Sequence, residues 1–334
     1  MPTDSLELAP RSVLGHYPGL LHPRGITPLG NRGGFSGARL WRVGCEIGDV
    51  CLRAWPAPVT AAAIAFQHEL MLRARQAGLS FVPLVYSTIE GKTWVEYEGR
   101  LWEATSWQPG AADFAANPSA ERLRNACVAL ANVHCAWTPS LRQEGVCPAV
   151  QRRLARAAEW SQLIGCGWRD PVTASCPGSI RPLVERACQL LATHVLDVPR
   201  MLAPFEAKSV SLQPCLCDVW HDHLLFEGET LTGLVDFGGA KIDHVSVDVA
   251  RMLGSLVGDD NRKWAFGLEA YRQVRSFSIE DEAMARALDA SGVIVGLVNW
   301  LVWIYRDKKQ FDDWSGVARR MVGLIERIES WKQH

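Results

Sequence analysis

The sequence predicts an α+β fold with two lobes, a small lobe built on an antiparallel sheet and a larger, mainly helical lobe. Short apolar runs separated by turn residues dominate residues 20–107, which is typical of antiparallel strands. Apolar residues at three- and four-residue spacings dominate residues 110–332, which is typical of helices. Pro109 and Gly110 separate the two patterns, and this dipeptide favours a hinge over a continuous element.

The small lobe is predicted to hold five strands and one helix. The strand-like runs cover residues 38–43, 50–55, 82–89, 93–97 and 101–107. Residues 60–78 repeat apolar residues at near-helical spacing and stop at Gly78, which predicts a helix. Residues 1–30 show little periodicity, so we expect an extended lead-in there.

Six helices are expected in the larger lobe. Their apolar patterns cover residues 119–137, 149–164, 179–195, 261–274, 279–305 and 310–331. Residues 211–240 interrupt these patterns with short apolar runs, acidic residues and glycines, so we expect irregular structure in this stretch.

The composition restricts the classes of partner. The chain has 334 residues, of which 48% are hydrophobic and 21% charged, as in an ordinary globular protein. Its 35 basic residues balance 36 acidic residues, giving a net charge of −1. A balanced charge argues against general electrostatic binding, so we expect neither a nucleic-acid nor a membrane partner.

The sequence also predicts a cytoplasmic protein. The first ten residues carry acidic side chains and no apolar core, unlike a signal or transit peptide. The most apolar stretch, residues 292–305, has 14 residues, whereas a membrane span needs about 20, so a buried helix is expected. The ten cysteines follow no spacing typical of zinc sites or disulfide frameworks and are expected to be reduced thiols.

The residues with the clearest chemical pattern lie between Leu216 and Ala250. Asp218 is followed five residues later by His223, and a turn then leads to Asp236-Phe237-Gly238. A kinase-type catalytic loop has a carboxylate beside the accepting hydroxyl, a metal ligand five residues later and a second carboxylate in a D-F-G segment. A single aspartate at any of these positions is typical of a turn or a helix cap, but the ordered set favours phosphoryl transfer.

This stretch resembles the aminoglycoside phosphotransferase and choline kinase-like family, whose loop typically reads H-G-D-x-x-x-x-N followed by [IV]-D-F-G/E. The resemblance implies a bilobal protein kinase-like fold and transfer of a phosphoryl group from ATP to the hydroxyl of a small molecule. It implies that Asp218 is the catalytic base and that Asp236 and His223 are metal ligands. It also implies that Asp248, in Asp248-Val249-Ala250, braces the catalytic loop.

The amino-terminal half agrees with this resemblance. A glycine-rich segment precedes the first predicted strand and is expected to cover the nucleotide phosphates with backbone N–H groups; it consists of Gly33, Gly34, Phe35, Ser36 and Gly37. In kinase folds a lysine on the next strand holds the phosphates and pairs with a helix glutamate. Arg53 occupies the lysine position, and Glu69 in the following helix is its expected partner.

The sequence departs from the family pattern at three places. His223 replaces the usual asparagine, Arg53 replaces lysine, and Leu216-Cys217 replaces His-Gly before Asp218. Imidazole nitrogen suits Zn²⁺ or Mn²⁺ better than Mg²⁺, so the implied cofactors are ATP with Mg²⁺, Mn²⁺ being an alternative.

Two other functions stay open at this point. One is a catalytically inactive pseudokinase that binds a nucleotide. The other is a metal-dependent hydrolase, in which His221 and His223, on one face of a strand, hold a metal together with Asp218 and Asp236. Among kinase substrates, the sequence leaves an amino sugar, an amino alcohol, a sugar, a nucleoside and a protein hydroxyl open, and it leaves the oligomeric state undetermined.

Overall fold

The computed structural model describes residues 4–30, 37–138, 143–165, 172, 174–311 and 313–331. The chain divides into two units, which we name unit 1 (Met1–Trp137 with His221–Ala240) and unit 2 (Thr138–Trp220 with Lys241–His334). The chain passes from unit 2 into unit 1 between Trp220 and His221. The predicted lobe boundary near residues 107–110 stays a prediction.

The described strands and helices are numbered along the chain. The strands are β1 (Gly25–Gly30), β2 (Arg39–Cys45), β3 (Gly48–Ala54), β4 (Val95–Tyr97), β5 (Arg100–Ser106), β6 (Gln143–Val146), β7 (Ser209–Cys215), β8 (Leu224–Glu227), β9 (Thr230–Leu234) and β10 (Lys241–Asp243). The helices are α1 (Asp4–Leu14), α2 (Ala61–Gln76), α3 (Ala120–Trp137), α4 (Pro148–Gly165), α5 (Arg181–His194), α6 (Asp197–Leu202), α7 (Ser246–Val257), α8 (Asn261–Arg272), α9 (Ile279–Leu301) and α10 (Trp314–Ser330). The predicted α+β fold, with a small antiparallel sheet and a larger helical part, is confirmed.

A five-stranded antiparallel sheet forms the centre of unit 1, with the strand order β1-β2-β3-β5-β4. Side chains alternate along the strands, so Val50, Leu52 and Ala54 of β3 are buried on one face. Gly48, with a φ of +108°, makes the tight turn between β2 and β3.

Two expectations for unit 1 are wrong. Residues 4–14 form helix α1, and residues 25–30 form the edge strand β1, where an extended lead-in was expected. Pro10 inside α1 conceals this helix in the sequence. The strand expected at residues 82–89 is reduced to a single bridge between Val85 and Thr105, and Pro83 within it has no N–H group for a ladder.

Helix α1 contributes to the main apolar core of unit 1. Val13 and Leu14 at its end are fully buried together with Tyr17. The same cluster contains Trp41 of β2 and Trp102 of β5, whose rings stack with their centroids 5.1 Å apart. Helix α1 is therefore an integral part of the small sheet's core.

Leu14→Ala should destabilise the protein by about 2–5 kcal/mol, because it leaves a cavity in this core. The matched control Leu8→Ala lies on the same helix, where Leu8 is 63% exposed, and it should cost less than about 0.5 kcal/mol. Urea unfolding of both variants measures these free energies. Equal effects of the two variants would contradict the assigned position of α1.

The hairpin β8–β9 joins the rest of unit 1 through the predicted hinge segment. Ala111 and Phe226 exchange two backbone hydrogen bonds, of 3.0 and 2.9 Å. Gly110 adopts a φ of +95°, and a side chain there would lie 2.8 Å from the Phe226 carbonyl oxygen. Glycine is therefore required at this position, because another residue would collide with the hairpin backbone.

Unit 2 consists of helices around a three-stranded antiparallel sheet with the order β10-β7-β6. Its longest helix, α9, continues as a π-helical turn over Val302–Arg306. The span Ile279–Arg306 is long and apolar enough to cross a membrane by length and composition, but 61% of its most apolar window is buried within the protein. Such burial is typical of a core helix.

The start of α9 is fixed by a capping box. The Asp281 N–H donates to the Ser278 hydroxyl at 3.0 Å, and the Ser278 N–H donates to the Asp281 carboxylate at 2.8 Å. The His244 Nε2 lies 3.4 Å from the same carboxylate. Burial acts to raise the pKa of Asp281, but the contacts with His244 and Ser278 outweigh it and lower this pKa to about 2.

Asp281 should make the stability of the protein dependent on acid pH. Its pKa falls from 3.8 to about 2 on folding, so the folded state gains about 2 kcal/mol above pH 5. This gain is lost as the pH falls from about 4 to 2. Urea unfolding of Asp281→Asn should show a loss of this size at pH 7 and a smaller loss at pH 3.

The matched control is Glu280→Gln. Glu280 lies on the same turn with a side chain 74% exposed and pairs with Lys208, so its replacement should cost less than about 1 kcal/mol at pH 7. A loss in Asp281→Asn that stays constant from pH 7 to pH 3 would contradict the assigned role of the carboxylate.

Candidate functional site

Asp236 lies directly after the hairpin β8–β9 in unit 1. The Val235 N–H donates to the His223 carbonyl at 3.0 Å, which joins the two ends of the hairpin. Phe237 is buried, with its ring centroid 6.2 Å from that of Trp137 on α3. Asp236 adopts a left-handed φ of +64°, which aspartate tolerates better than most residues, and its carboxylate accepts from the Gly238 N–H. This turn orients the Asp236 side chain.

The Asp236 carboxylate contacts Arg53 of β3. The Nη1 of Arg53 donates to the Oδ1 of Asp236 at 3.1 Å, and the guanidinium lies 4.7 Å from the centroid of the Trp55 ring. Burial acts to raise the pKa of Asp236, but the positive charge of Arg53 and the nearby His223 outweigh it and hold this pKa below its usual value. The structure therefore brings together two residues that the sequence assigned to the site.

A buried chain of polar contacts also holds Arg53. Glu103 of β5 is the cross-strand neighbour of Arg53, and its carboxylate lies 3.6 Å from the Arg53 Nε. The other oxygen of Glu103 lies 2.8 Å from the Nε2 of His68 on α2. The side chains of Arg53, Glu103 and His68 are 15%, 9% and 2% exposed, so these contacts are shielded from water.

The expected pairing of Arg53 with Glu69 is wrong. Glu69 is half exposed and forms an ion pair with Arg73 one helical turn later. Glu103 has taken the place of the helix glutamate, and His68, one residue before Glu69, faces inward instead. The sequence reasoning missed Glu103 and His68, although the antiparallel pairing of their strands would have placed Glu103 opposite Arg53.

Glu103→Ala should destabilise the protein by about 3–5 kcal/mol, because it leaves the buried Arg53 and His68 without their shared acceptor. Glu69→Ala is the matched control, since it removes an exposed pair within one helix and should cost about 0.5 kcal/mol or less. Chemical unfolding of both variants tests this order. A larger loss of stability in the Glu69 variant would support the pairing of Arg53 with Glu69 instead.

His221 and His223 lie in a short 3-10 helix, not on the strand that the hydrolase hypothesis requires. The Nε2 of His221 lies 3.3 Å from Asp222, whereas the Nε2 of His223 lies 3.6 Å from the second oxygen of Asp236. His223 and Asp236 thus adjoin each other, as the metal-site prediction requires. A carboxylate oxygen and an imidazole nitrogen form a donor set that fits a divalent cation tolerant of nitrogen, such as Mn²⁺.

Asp218 lies in unit 2, in a loop braced by Asp248 of α7. The buried Asp248 carboxylate accepts from the N–H groups of Leu216 and Cys217 at 2.7 and 2.6 Å. The bracing role expected of Asp248 is therefore confirmed. Cys217 adopts a left-handed φ of +63°, the conformation that suits the glycine usual at this position in the family.

The brace leaves the Asp218 side chain directed toward solvent, 56% exposed, with its carboxylate accepting from the Nε of Arg251 at 3.0 Å.

Of the predicted phosphate loop, Gly37 is described, with a φ of +82°. The predicted phosphate-loop residues Gly33, Gly34, Phe35 and Ser36 lie outside the described residues.

Comparison with known proteins identifies the family. A family model described as "Phosphotransferase enzyme family" matches residues 27–287. The chain belongs to this family, and the predicted enzyme class is confirmed at this level. Among curated proteins, a homoserine kinase from Beijerinckia indica subsp. indica is 31% identical over 132 residues, which cover 37% of the chain. The match spans 41% of the length of that relative.

Solved structures with the same fold agree with the family. Spectinomycin phosphotransferase in complex with ADP and spectinomycin has a TM-score of 0.69 and 10% identity, covering 100% of this chain and 99% of that one. An amicoumacin kinase in complex with AMP-PNP, Ca²⁺ and its ligand has a TM-score of 0.62 and 12% identity, covering 98% of this chain and 94% of that one. The predicted protein kinase-like fold is confirmed.

Proposed function

We propose that the chain transfers the terminal phosphoryl group of ATP to a hydroxyl group of a small molecule. The observation that carries this proposal is the contact of Asp236 with both Arg53 and His223 in unit 1. His223 follows the braced and exposed Asp218 by five residues in the chain. Phosphoryl transfer needs a cation for the phosphates, a carboxylate for the metal and a carboxylate for the attacking hydroxyl. The family match supports the same reaction class.

Nucleotide binding is assigned to unit 1. Arg53 would contact the phosphates through its guanidinium, which the Glu103 and Trp55 contacts hold in a fixed orientation. Gly33, Gly34, Phe35, Ser36 and Gly37 would donate backbone N–H groups to the phosphate oxygens. Two structural neighbours that contain ADP or AMP-PNP support a nucleotide as the donor. Glu69 has no part in this assignment, since it pairs with Arg73.

The metal is assigned to Asp236 and His223. A divalent cation bound there would neutralise charge on the phosphates during transfer. Mg²⁺ is the cofactor implied by the family resemblance, and the imidazole of His223 favours Mn²⁺ as an alternative. The Ca²⁺ bound to the amicoumacin kinase supports the use of a divalent cation by this fold.

Asp218 is assigned as the catalytic base. Its exposed carboxylate would accept a hydrogen bond from the substrate hydroxyl, orient the oxygen for in-line attack and take its proton. Asp248 would keep this loop in place without touching the substrate. Most of the rate enhancement would come from positioning and from charge neutralisation, because no covalent enzyme intermediate is required.

The proposed substrate is a small hydroxylated molecule, acted on in the cytoplasm. The relatives that carry spectinomycin or act on homoserine support a small acceptor.

Asp218→Asn should lower turnover at least about 100-fold and leave nucleotide affinity within a few-fold, because the base acts in the chemical step. The matched control Asp222→Asn changes a neighbouring carboxylate of the same loop that pairs with His221, and it should retain turnover.

Thermal unfolding tests nucleotide binding independently of the substrate. ATP with Mg²⁺ or Mn²⁺ should raise the melting temperature by several degrees, since a ligand of the native state stabilises it by mass action. Asp236→Asn should reduce the metal-dependent part of this increase. Stabilisation by nucleotide without turnover of any acceptor would favour the inactive pseudokinase, and no stabilisation at millimolar nucleotide would contradict the proposal.

A further inference from the structure

Helix α2 directs a buried histidine, His68, at the sheet of unit 1. Its side chain is 2% exposed, and its Nε2 lies 2.8 Å from the Oε2 of Glu103. Its Nδ1 is buried as well and has no hydrogen-bond partner among the described residues. A buried nitrogen without a partner destabilises the folded protein, a cost that an apolar side chain of similar size avoids. Packing alone therefore does not explain a histidine at this position, and the contact with Glu103 does.

His68 and Arg53 share the carboxylate of Glu103 unequally. The Nε2 of His68 donates to one oxygen, since a carboxylate only accepts, whereas the other oxygen lies 3.6 Å from the Nε of Arg53. At 3.6 Å the second contact is an ion pair and not a hydrogen bond. Burial acts to raise the pKa of Glu103, but the hydrogen bond with His68 and the charge of Arg53 outweigh it and hold this pKa below its usual value. The shorter contact, with His68, thus sets the direction of the carboxylate.

This unequal sharing keeps donors of Arg53 available. A guanidinium has five N–H donors, and among the described residues Arg53 makes one hydrogen bond, from its Nη1 to Asp236 at 3.1 Å. Arginine and a carboxylate prefer a paired contact through two parallel N–H groups. A Glu103 side chain released from His68 would turn into such a contact. Two donors of Arg53 would then be occupied, and the guanidinium would be drawn away from Asp236.

We infer that His68 is a positioning residue for nucleotide binding, which holds the Glu103 carboxylate so that the Arg53 guanidinium stays beside Asp236 and open to the nucleotide phosphates. The inference rests on the proposed phosphoryl transfer and adds to it a residue that touches neither substrate nor metal. His68 precedes Glu69, the helix position first expected to pair with Arg53. Helix α2 thus acts on the phosphate-binding cation through a carboxylate on β5 and not directly.

Two variants of His68 test this role by direct binding of ADP with Mg²⁺. His68→Leu removes the donor and keeps a side chain of similar size, whereas His68→Gln keeps an N–H group near the position of Nε2. Calorimetric titration should give a Kd about tenfold or more above the wild-type value for His68→Leu, the effect of one charge-assisted hydrogen bond. His68→Gln should stay within about threefold of the wild type. An unchanged Kd in His68→Leu, or equal increases in both variants, would overturn the inference.

A double-mutant cycle shows whether His68 acts through Glu103. In a Glu103→Gln background, His68→Leu should change the Kd for ADP by less than about twofold, because the carboxylate that His68 orients is gone. Additive effects of the two changes would overturn the inference. The matched control is Ile64→Val, fully buried in the same helix, which should lower the melting temperature and leave the Kd unchanged.

A spectroscopic measurement keeps the inference testable if a variant fails to fold. Two-bond proton–nitrogen correlation spectra of the wild-type protein, with the signals of His68 assigned by their loss in His68→Gln, should place a proton on Nε2. A ring protonated on Nδ1 alone would overturn the inference.

The two possible failures differ in outcome. If the nucleotide assignment is wrong, ADP gives no titration signal with the wild-type protein, which overturns both the proposed function and this inference. If only the role of His68 is wrong, the wild-type protein binds ADP and His68→Leu binds it equally well.

Discussion

The burial of the Arg53 guanidinium is the constraint on which unit 1 depends. A buried cation is costly unless it is paired and hydrogen-bonded. Glu103 on β5 and Asp236 after β9 supply the two carboxylates, and His68 on α2 satisfies the second oxygen of Glu103. Two strands of the sheet, one helix and the turn after the hairpin must therefore keep their relative positions for a single charge to stay compensated. This requirement preorganises the residues proposed to bind phosphate and metal.

Arg53 stands where the family usually has lysine, and this explains why it pairs with Glu103 and not with a helix glutamate. A lysine is a point charge on a long flexible stem, whereas the planar guanidinium donates in several directions at once. Arg53 can therefore contact Glu103 and Asp236 together. The helix position occupied by Glu69 is then not needed for pairing and lies at the surface with Arg73. The residues differ from the family pattern, but the positive charge on β3 is still paired with carboxylates.

In unit 2 the buried charge is negative, whereas in unit 1 it is positive. The Asp248 carboxylate has no exposure and is compensated by backbone N–H groups of Leu216 and Cys217. These bonds hold Cys217 in a left-handed conformation that costs an ordinary residue about 1 kcal/mol or more. The gain is a loop that presents Asp218 at the surface beside Arg251. Each unit thus positions a partly exposed carboxylate, Asp236 in unit 1 and Asp218 in unit 2, through a charge that is itself buried.

The sequence by itself determined the α+β class, most of the described helices and four of the five strands of the small sheet, because periodicity is a local property of the chain. Motif spacing, which is also local, singled out Asp218, Asp236 and Asp248 as candidate residues. It missed α1, where Pro10 obscures the pattern, and it placed a full strand at residues 82–89. Tertiary structure alone decided that Glu103 and His68 hold Arg53, and that Arg251 and Arg320 share the Trp220 ring. These residues are brought together from distant segments by strand register and helix packing, and a motif cannot encode contacts whose partners lie on other elements.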